Sequence, residues 1–281
     1  MIIDFHTHSF PESISKRVMK TLSGSVNLNP FTDGTYLGLR RSMVLSGVDV
    51  SIVLPIATTK EQTGTINKTA IERNRDFSET GILSCGSVHP DHKDYRNILK
   101  DLKEQGIKGI KIHPVFQDVP IDDVRFMDLI YEASAQGFVV ITHAGNDISY
   151  PGRDEASINR IDRMLTEVKP EKMVLAHMGG FGEWHNVADI LIKHRVYVDT
   201  SFSLLKPDYS DSEHIWKEED VRISGDYAID IIRAVGTNRI LFGSDSPWLS
   251  QRDSIKVLSD YFRGDGLSKV LGINAKMLLN I

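Results

Sequence analysis

Short apolar runs rich in β-branched residues recur along the chain, and longer segments with helical periodicity separate them. Runs of this length are typical of buried strands, and their alternation with amphipathic helices is typical of βα units on a parallel sheet. The predicted strands are residues 2–6, 50–55, 82–88, 107–113, 138–143, 173–177, 196–200 and 240–244. The clearest predicted helices between them are residues 61–79, 95–105, 122–136, 155–168, 183–194, 226–235 and 253–263.

Several predicted helices end at a glycine, which a left-handed C-cap favours. These glycines are Gly81, Gly106, Gly137 and Gly236. Eight strand–helix alternations without a linker or a break in composition favour one α/β domain over residues 1–281, a (β/α)₈ TIM barrel, rather than two open sheets. The active site of such a barrel lies at the C-terminal mouth, so the last residues of each strand are the candidates for chemistry.

Two connections are longer than the usual loop. One follows the first strand and leads to a helix near residues 38–46, with a further helix predicted around residues 14–22. The other covers residues 203–222 and is polar and aromatic. Long loops over a barrel mouth often serve as lids, although the same composition equally fits a solvated loop.

Charge and composition narrow the class of partner. The chain has 281 residues, 41% hydrophobic and 25% charged, with a formal net charge of −5 and no long basic run. We therefore expect a small-molecule substrate, with no nucleic acid and no membrane as partner. The single cysteine, Cys85, is predicted to be a buried core thiol, and the strand-like first residues favour a cytoplasmic protein. Oligomeric state stays open, with a homodimer as the commonest form.

Two histidines at the end of the first predicted strand suggest a metal site. His6 and His8 are two residues apart, and side chains at this spacing in a strand point to the same face. Their imidazoles can therefore converge on one point, and imidazole nitrogens are common ligands of Zn²⁺.

Other strand ends add more polar residues. The full set at the predicted strand ends is His6, His8, Lys111, His113, His143, His177 and Asp245. Each buried polar group needs a partner, and a shared metal explains so many at one rim better than packing does. Because only one thiol is present, a sulfur-rich set of ligands is excluded. Zn²⁺ is the first expectation and Mn²⁺ the second.

At these positions the chain resembles the amidohydrolase superfamily, within it the branch that includes aminocarboxymuconate-semialdehyde decarboxylase. The motifs that carry the resemblance are Asp4-Phe5-His6-Thr7-His8, Gly109-Ile110-Lys111-Ile112-His113-Pro114, Ile141-Thr142-His143-Ala144-Gly145, Leu175-Ala176-His177-Met178-Gly179-Gly180 and Leu241-Phe242-Gly243-Ser244-Asp245-Ser246-Pro247-Trp248. The resemblance spans the whole chain, and the order and spacing of the motifs are more specific than any one of them.

The resemblance implies a role for each strand-end residue. The expected metal ligands are His6, His8, His143 and Asp245. Asp245 is also expected to accept a proton from metal-bound water, with His177 as a second base or electrophile beside that water. A divalent ion lowers the pKa of bound water toward ~7, which makes hydroxide available at neutral pH.

Lys111 leaves two interpretations open. In the binuclear branch of the superfamily the corresponding lysine is carbamylated and bridges two metals, and His143 and His177 would then hold the second metal. In the mononuclear branch, which we favour, the lysine stays a free cation. A free Lys111 and His113, two residues further along the same face, are then candidates for binding a substrate carboxylate.

The resemblance implies an enzyme, and the sequence favours a metal-dependent hydrolase. Its substrate would be a small anionic ester, lactone or amide-like compound attacked by activated water. The alternative is a metal-dependent, non-oxidative decarboxylase of an unsaturated or aromatic acid, since the same branch holds such enzymes. A third interpretation is a non-catalytic ligand-binding barrel, against which the presence of both Asp245 and His177 argues.

Overall fold

The computed structural model describes residues 1–209, 217 and 221–281. In this part of the chain nine strands form two parallel sheets, β1 to β3 and β4 to β9, and within each sheet every strand pairs with the next along the chain. The strands are β1 (Ile3–Thr7), β2 (Val50–Val53), β3 (Ile82–Ser84), β4 (Gly86–Ser87), β5 (Gly109–Ile112), β6 (Val139–Thr142), β7 (Met173–Leu175), β8 (Tyr197–Asp199) and β9 (Ile240–Leu241).

Backbone hydrogen bonds connect the two sheets at both ends. The predicted strand 82–88 is divided into β3 and β4 at Cys85, whose N–H donates to the carbonyl oxygen of Val53 at 2.9 Å. On the other side the N–H of Phe5 in β1 donates to the carbonyl oxygen of Phe242, just after β9, at 2.7 Å. The eight predicted strand positions therefore build the predicted (β/α)₈ barrel.

Within the described residues the α-helices alternate with the strands, as predicted. They are α1 (Glu12–Val26), α2 (Tyr36–Ser46), α3 (Gln62–Asn74), α4 (Phe77–Thr80), α5 (Tyr95–Glu104), α6 (Val124–Ala135), α7 (Ile158–Val168), α8 (Trp184–Leu191), α9 (Gly225–Val235), α10 (Gln251–Tyr261), α11 (Gly264–Ser268) and α12 (Asn274–Leu279). The predicted helix 61–79 is divided into α3 and α4, and the helix predicted around 14–22 is the longer α1. The four predicted cap glycines all have positive φ, a conformation that glycine adopts readily. Gly81 is a left-handed C-cap as predicted, whereas Gly236, with ψ 140°, is not left-handed.

Apolar side chains form two buried clusters that correspond to the two faces of the strands. Alternate strand residues such as Ile52, Ile141 and Leu241 belong to one cluster, and their neighbours Val53, Val140 and Ile240 pack in the larger cluster with the helices. The first cluster contains the buried Cys85. Burial raises the pKa of its thiol to about 12. The prediction of a core thiol is confirmed.

The two long connections contact each other. Leu28, after α1, forms an antiparallel bridge with Tyr209, and the N–H of Asn29 donates to the carbonyl oxygen of Asp208 at 2.8 Å. The rest of the candidate lid, residues 210–216 and 218–220, lies outside the described residues, so its role stays a prediction. Among the helices of the described ranges, none has the length and apolar character needed to cross a membrane.

Candidate metal centre

The polar residues predicted at the strand ends lie in the barrel mouth. All of them are buried except His8, which is partly exposed. A shift in the pairing of β1 with β2 occurs between Asp4 and Thr7, so His6 and His8 do not follow the simple alternation of a regular strand. Such irregularities often redirect side chains beside active sites. The two rings end up 5.2 Å apart, edge to face.

His6, His8 and Asp245 form a compact group of potential metal ligands. One ligand atom from each lies within 4.8 Å of the others. Oδ1 of Asp245 is 3.1 Å from Nε2 of His8 and 3.6 Å from Nε2 of His6. Burial alone would raise the pKa of Asp245, but the two imidazoles outweigh it and hold the pKa well below its ordinary value.

Oδ1 of Asp245 shows that this group fits a cation. This oxygen is buried, and no group among the described residues gives it a well-directed hydrogen bond. A buried carboxylate oxygen without a hydrogen-bond donor is costly. A divalent ion held by Asp245 and the two imidazoles removes that cost, and imidazole plus carboxylate is a donor set that both Zn²⁺ and Mn²⁺ accept.

Hydrogen bonds on the outer side of two imidazoles fix where their protons lie. Nδ1 of His6 is 2.8 Å from Oδ2 of Asp199, and Nε2 of His143 is 2.8 Å from the carbonyl oxygen of Asn146. Because a carboxylate and a carbonyl only accept hydrogen bonds, we assign the protons to these two nitrogens. Nε2 of His6 and Nδ1 of His143 are then unprotonated, as metal ligands must be.

His177 connects His143 to the compact group. Its Nδ1 is 3.0 Å from the carbonyl oxygen of Ser201, which assigns the proton to Nδ1 and leaves Nε2 unprotonated. Nε2 of His177 faces Nδ1 of His143 at 3.1 Å, and its ring centre is 5.3 Å from that of His6. Two unprotonated nitrogens at this distance repel each other unless a cation lies between or beside them. His143, predicted as a fourth ligand, thus reaches the site beside His177 rather than in direct contact with Asp245.

Electrostatics keep these imidazoles neutral. Burial, followed by the charge of Lys111, lowers the pKa of His6 to about 4. Burial also lowers the pKa of His143 and of His177. Neutral imidazoles are the form that binds a metal ion.

Lys111 is a buried cation in the same mouth. Burial lowers its pKa to about 8, and the carboxylates of Asp199 and Asp245 oppose that shift. A lysine ammonium in such surroundings is a point charge able to bind a carboxylate. Its role in substrate binding stays a prediction.

His113 differs from the other imidazoles of the mouth. Its Nδ1 accepts a hydrogen bond from the backbone N–H of Phe116 at 3.3 Å, so its proton lies on Nε2. That Nε2–H faces Oδ2 of Asp147 at 3.5 Å. The ring stacks on Phe116 at 4.0 Å and on His143 at 4.2 Å. His113, His143 and Asp147 lie close enough together to resemble a second metal site, but His113 presents a donor there and not a lone pair.

Three residues of the mouth were missed by reasoning from the sequence. Asp199 and Ser201 lie behind His6 and His177, and Asp147 lies beside His113. Asp199 carried a signal, because it is a charged residue inside the apolar run 196–200. Asp147 and Ser201 lie in the loops that follow strands and carried none.

Local backbone features bring the loops of the mouth together. Gly145 has φ 87°, and a Cβ there would lie 2.3 Å from the backbone nitrogen of Phe181. Two backbone hydrogen bonds join the segments around these residues, so the glycine allows the loops after β6 and β7 to touch. His177 and Asp245 also have positive φ, 58° and 64°. Non-glycine residues seldom adopt this conformation, and it is concentrated at functional sites.

The family model described as amidohydrolase matches residues 3–281. No curated protein sequence matches the chain.

Solved structures share the fold at low sequence identity. The 5-carboxyvanillate decarboxylase of Sphingomonas paucimobilis is 14% identical, with a TM-score of 0.69 over 100% of this chain and 99% of that one. The 5-carboxyvanillate decarboxylase of Novosphingobium aromaticivorans, solved with bound manganese, is 13% identical, with a TM-score of 0.69 over 100% and 97%. A probable 2-pyrone-4,6-dicarboxylic acid hydrolase of Acinetobacter baumannii is 15% identical, with a TM-score of 0.66 over 100% and 99%.

Proposed function

The chain belongs to the amidohydrolase family, and from this membership and the donors of its mouth we propose that it is a metal-dependent, non-oxidative decarboxylase. The proposed substrate is a small aromatic or unsaturated carboxylic acid. The observation that carries the proposal is the buried ammonium of Lys111 in the same mouth as the candidate cation group of His6, His8 and Asp245. An ammonium and a divalent ion side by side suit a substrate with a carboxylate.

The names of the structural neighbours support this choice over the hydrolysis that the sequence favoured. Two of the three described above are decarboxylases of an aromatic acid, and one is described as a hydrolase. The sequence alone favours hydrolysis, with decarboxylation as the alternative. We now propose the reverse order within the same family.

Each residue of the mouth has a proposed task. His6, His8, His143 and Asp245 would hold the divalent ion, which as a Lewis acid would polarise a substrate oxygen. The neighbour solved with manganese makes Mn²⁺ the first ion to test and Zn²⁺ the second. Lys111 would pair with the substrate carboxylate, and the Nε2–H of His113 would donate to a second oxygen of the substrate.

The chemical step needs one proton at the carbon that loses CO₂. The bond between that carbon and the carboxyl group breaks, and its electron pair stays on the ring carbon. The Asp245 carboxylate accepts a proton from solvent and delivers it to this carbon, so that the carboxylate is regenerated and CO₂ leaves. His177, with Nε2 unprotonated, acts as the second base beside Asp245.

Hydrolysis of a lactone is the second candidate function. The neighbour from Acinetobacter baumannii favours it, and the same bases can take a proton from water that attacks a carbonyl carbon. The two reactions differ in what leaves the substrate and in whether water is incorporated.

The test is an assay of protein loaded with Mn²⁺ or Zn²⁺ in isotopically labelled water. Hydroxybenzoates and muconate-like acids form one panel of substrates, and lactones form the other. We expect release of CO₂, hydrogen from solvent at the carbon that lost it, and no solvent oxygen in the organic product. Incorporation of solvent oxygen without CO₂ would replace the proposal with hydrolysis. An Asp245→Asn variant is the control for contaminating activity.

A further inference from the structure

Asp199 lies behind the candidate metal ligand His6, and we propose that it is a positioning residue that sets the tautomer of this imidazole. Its carboxylate is completely buried. Oδ2 accepts the hydrogen bond from Nδ1 of His6 at 2.8 Å. Because Nδ1 holds the proton, Nε2 carries the lone pair toward Asp245. The inference rests on the metal dependence in the proposed function and not on the choice between decarboxylation and hydrolysis.

The two oxygens of Asp199 have different partners. Oδ1 accepts from the backbone N–H of His177 at 3.0 Å, the backbone N–H of Ser201 at 3.1 Å and the hydroxyl of Ser201. Three donors therefore converge on Oδ1, and none of these three is directed at Oδ2. This arrangement dedicates Oδ2 to His6.

Ser201 extends the same control to His177. Since its hydroxyl hydrogen is donated to Asp199, its Oγ can only accept from the imidazoles. Oγ is 3.0 Å from Nδ1 of His6 and 3.0 Å from Nδ1 of His177. With Nδ1 protonated, His6 and His177 can donate to this hydroxyl oxygen, and His177 can also donate to the carbonyl oxygen of Ser201. One buried carboxylate thus orients a candidate ligand and, through Ser201, a candidate base.

An amide at position 199 would reverse the tautomer of His6. In Asp199→Asn the three donors require the amide oxygen at the Oδ1 position, which turns the amide NH₂ toward Nδ1 of His6. Nδ1 must then accept, so the imidazole proton moves to Nε2. Nε2 faces Oδ1 of Asp245 at 3.6 Å, and a protonated nitrogen there cannot bind a metal ion. We expect the affinity for Mn²⁺ to fall about 10–100-fold, the usual effect of losing a partner that orients a ligand.

The experiment reads the tautomer directly in metal-free protein. Long-range nitrogen–proton NMR correlations of protein with labelled histidine distinguish Nδ1–H from Nε2–H. We expect Nδ1–H on His6 in the wild type and Nε2–H in Asp199→Asn, and chelator competition measures Mn²⁺ affinity in both. Asp4→Asn is the matched control, because Asp4 is equally buried and contacts Ser244, Gln251 and the backbone N–H of His6 but neither imidazole ring.

Two results would overturn the inference. One is an Nε2–H tautomer of His6 in the wild type, which is decisive even if Asp199→Asn does not fold. The other is a folded Asp199→Asn protein that keeps Nδ1–H or wild-type Mn²⁺ affinity. Neither readout involves a substrate, so a failure of the proposed reaction and a failure of this inference are distinguishable.

Discussion

Imidazoles on the two sides of the barrel mouth have opposite hydrogen-bonding character. The carboxylate side consists of His6, His8, Asp199 and Asp245, and the aromatic side consists of His113, Phe116 and Asp147. His6 donates its Nδ1 proton outward to a carboxylate and turns a lone pair inward. His113 accepts outward from a backbone N–H and turns a proton inward.

This difference shows how the hydrogen-bond partner behind an imidazole can determine the function of chemically identical side chains. A carbonyl or carboxylate behind an imidazole makes it an acceptor toward the site, which suits a cation. A backbone N–H behind it makes it a donor, which suits a substrate oxygen. His143, which stacks on His113 and faces His177, lies at the boundary and belongs with the acceptors.

The largest expected effect is on the carboxylate side. Asp245→Asn removes the negative charge that faces two imidazoles and also removes the proposed proton acceptor. We expect kcat to fall by about 10²–10⁴, the range for loss of a general acid–base residue. Metal content measured on the purified variant should fall with it. Near-native activity with full metal content would contradict both roles of Asp245.

A smaller effect is expected for Lys111, the proposed partner of the substrate carboxylate, whose charge interacts with Asp199 and Asp245. Lys111→Met should raise KM for an acidic substrate about 10–100-fold, the equivalent of about 1.5–3 kcal/mol for a hydrogen bond to a charged group. The metal content should not change. Lys100→Met, at an exposed position of α5, is the matched control.

From the pKa of Lys111 we expect substrate affinity to depend on pH. Its pKa is about 8, so the ammonium is present below that pH and is lost as the pH rises through it. Substrate affinity should therefore weaken above about pH 8 in the wild type, and Lys111→Met should lack this limb of the profile. Two results together would instead favour the carbamylated, binuclear alternative. One is a loss of metal from the Lys111→Met variant, and the other is a Lys111 in the wild type that is heavier by the mass of one CO₂.

The barrel and most of the mouth were predictable because their signals are local. Apolar runs predict strands, helical periodicity predicts the elements between them, and the carboxyl ends of parallel strands meet at one mouth. The division of the third strand at Cys85 was not predictable in this way. Two asparagines of α3 bind its edge: Asn74 donates to the carbonyl oxygen of Ser84 and accepts from the N–H of Ser84, and Asn67 accepts from the N–H of Ser87. These bonds depend on how the helix packs.

The tautomers were not predictable for a related reason. His6 and Asp199 are separated by 193 positions in the chain, and nothing in either segment indicates that Oδ2 would face Nδ1. His113 depends on a backbone N–H three residues away, in a loop whose conformation periodicity does not describe. The sequence could therefore predict which residues meet but not which nitrogen each one turns inward.

The smallest effect is expected for Asp147, and it tests the distinction between the two sides most directly. Asp147→Asn keeps an oxygen near Nε2–H of His113 but removes the charge, so KM should rise only about 2–10-fold, the equivalent of about 0.5–1.5 kcal/mol for a hydrogen bond. Metal stoichiometry and Mn²⁺ affinity should stay unchanged, because His113 presents a proton and not a lone pair. The contradicting result is an Asp147→Asn variant that binds one ion fewer per chain. A second metal would then be held by His113, His143 and Asp147, and the hydrogen bond from Phe116 would not determine the role of the His113 imidazole.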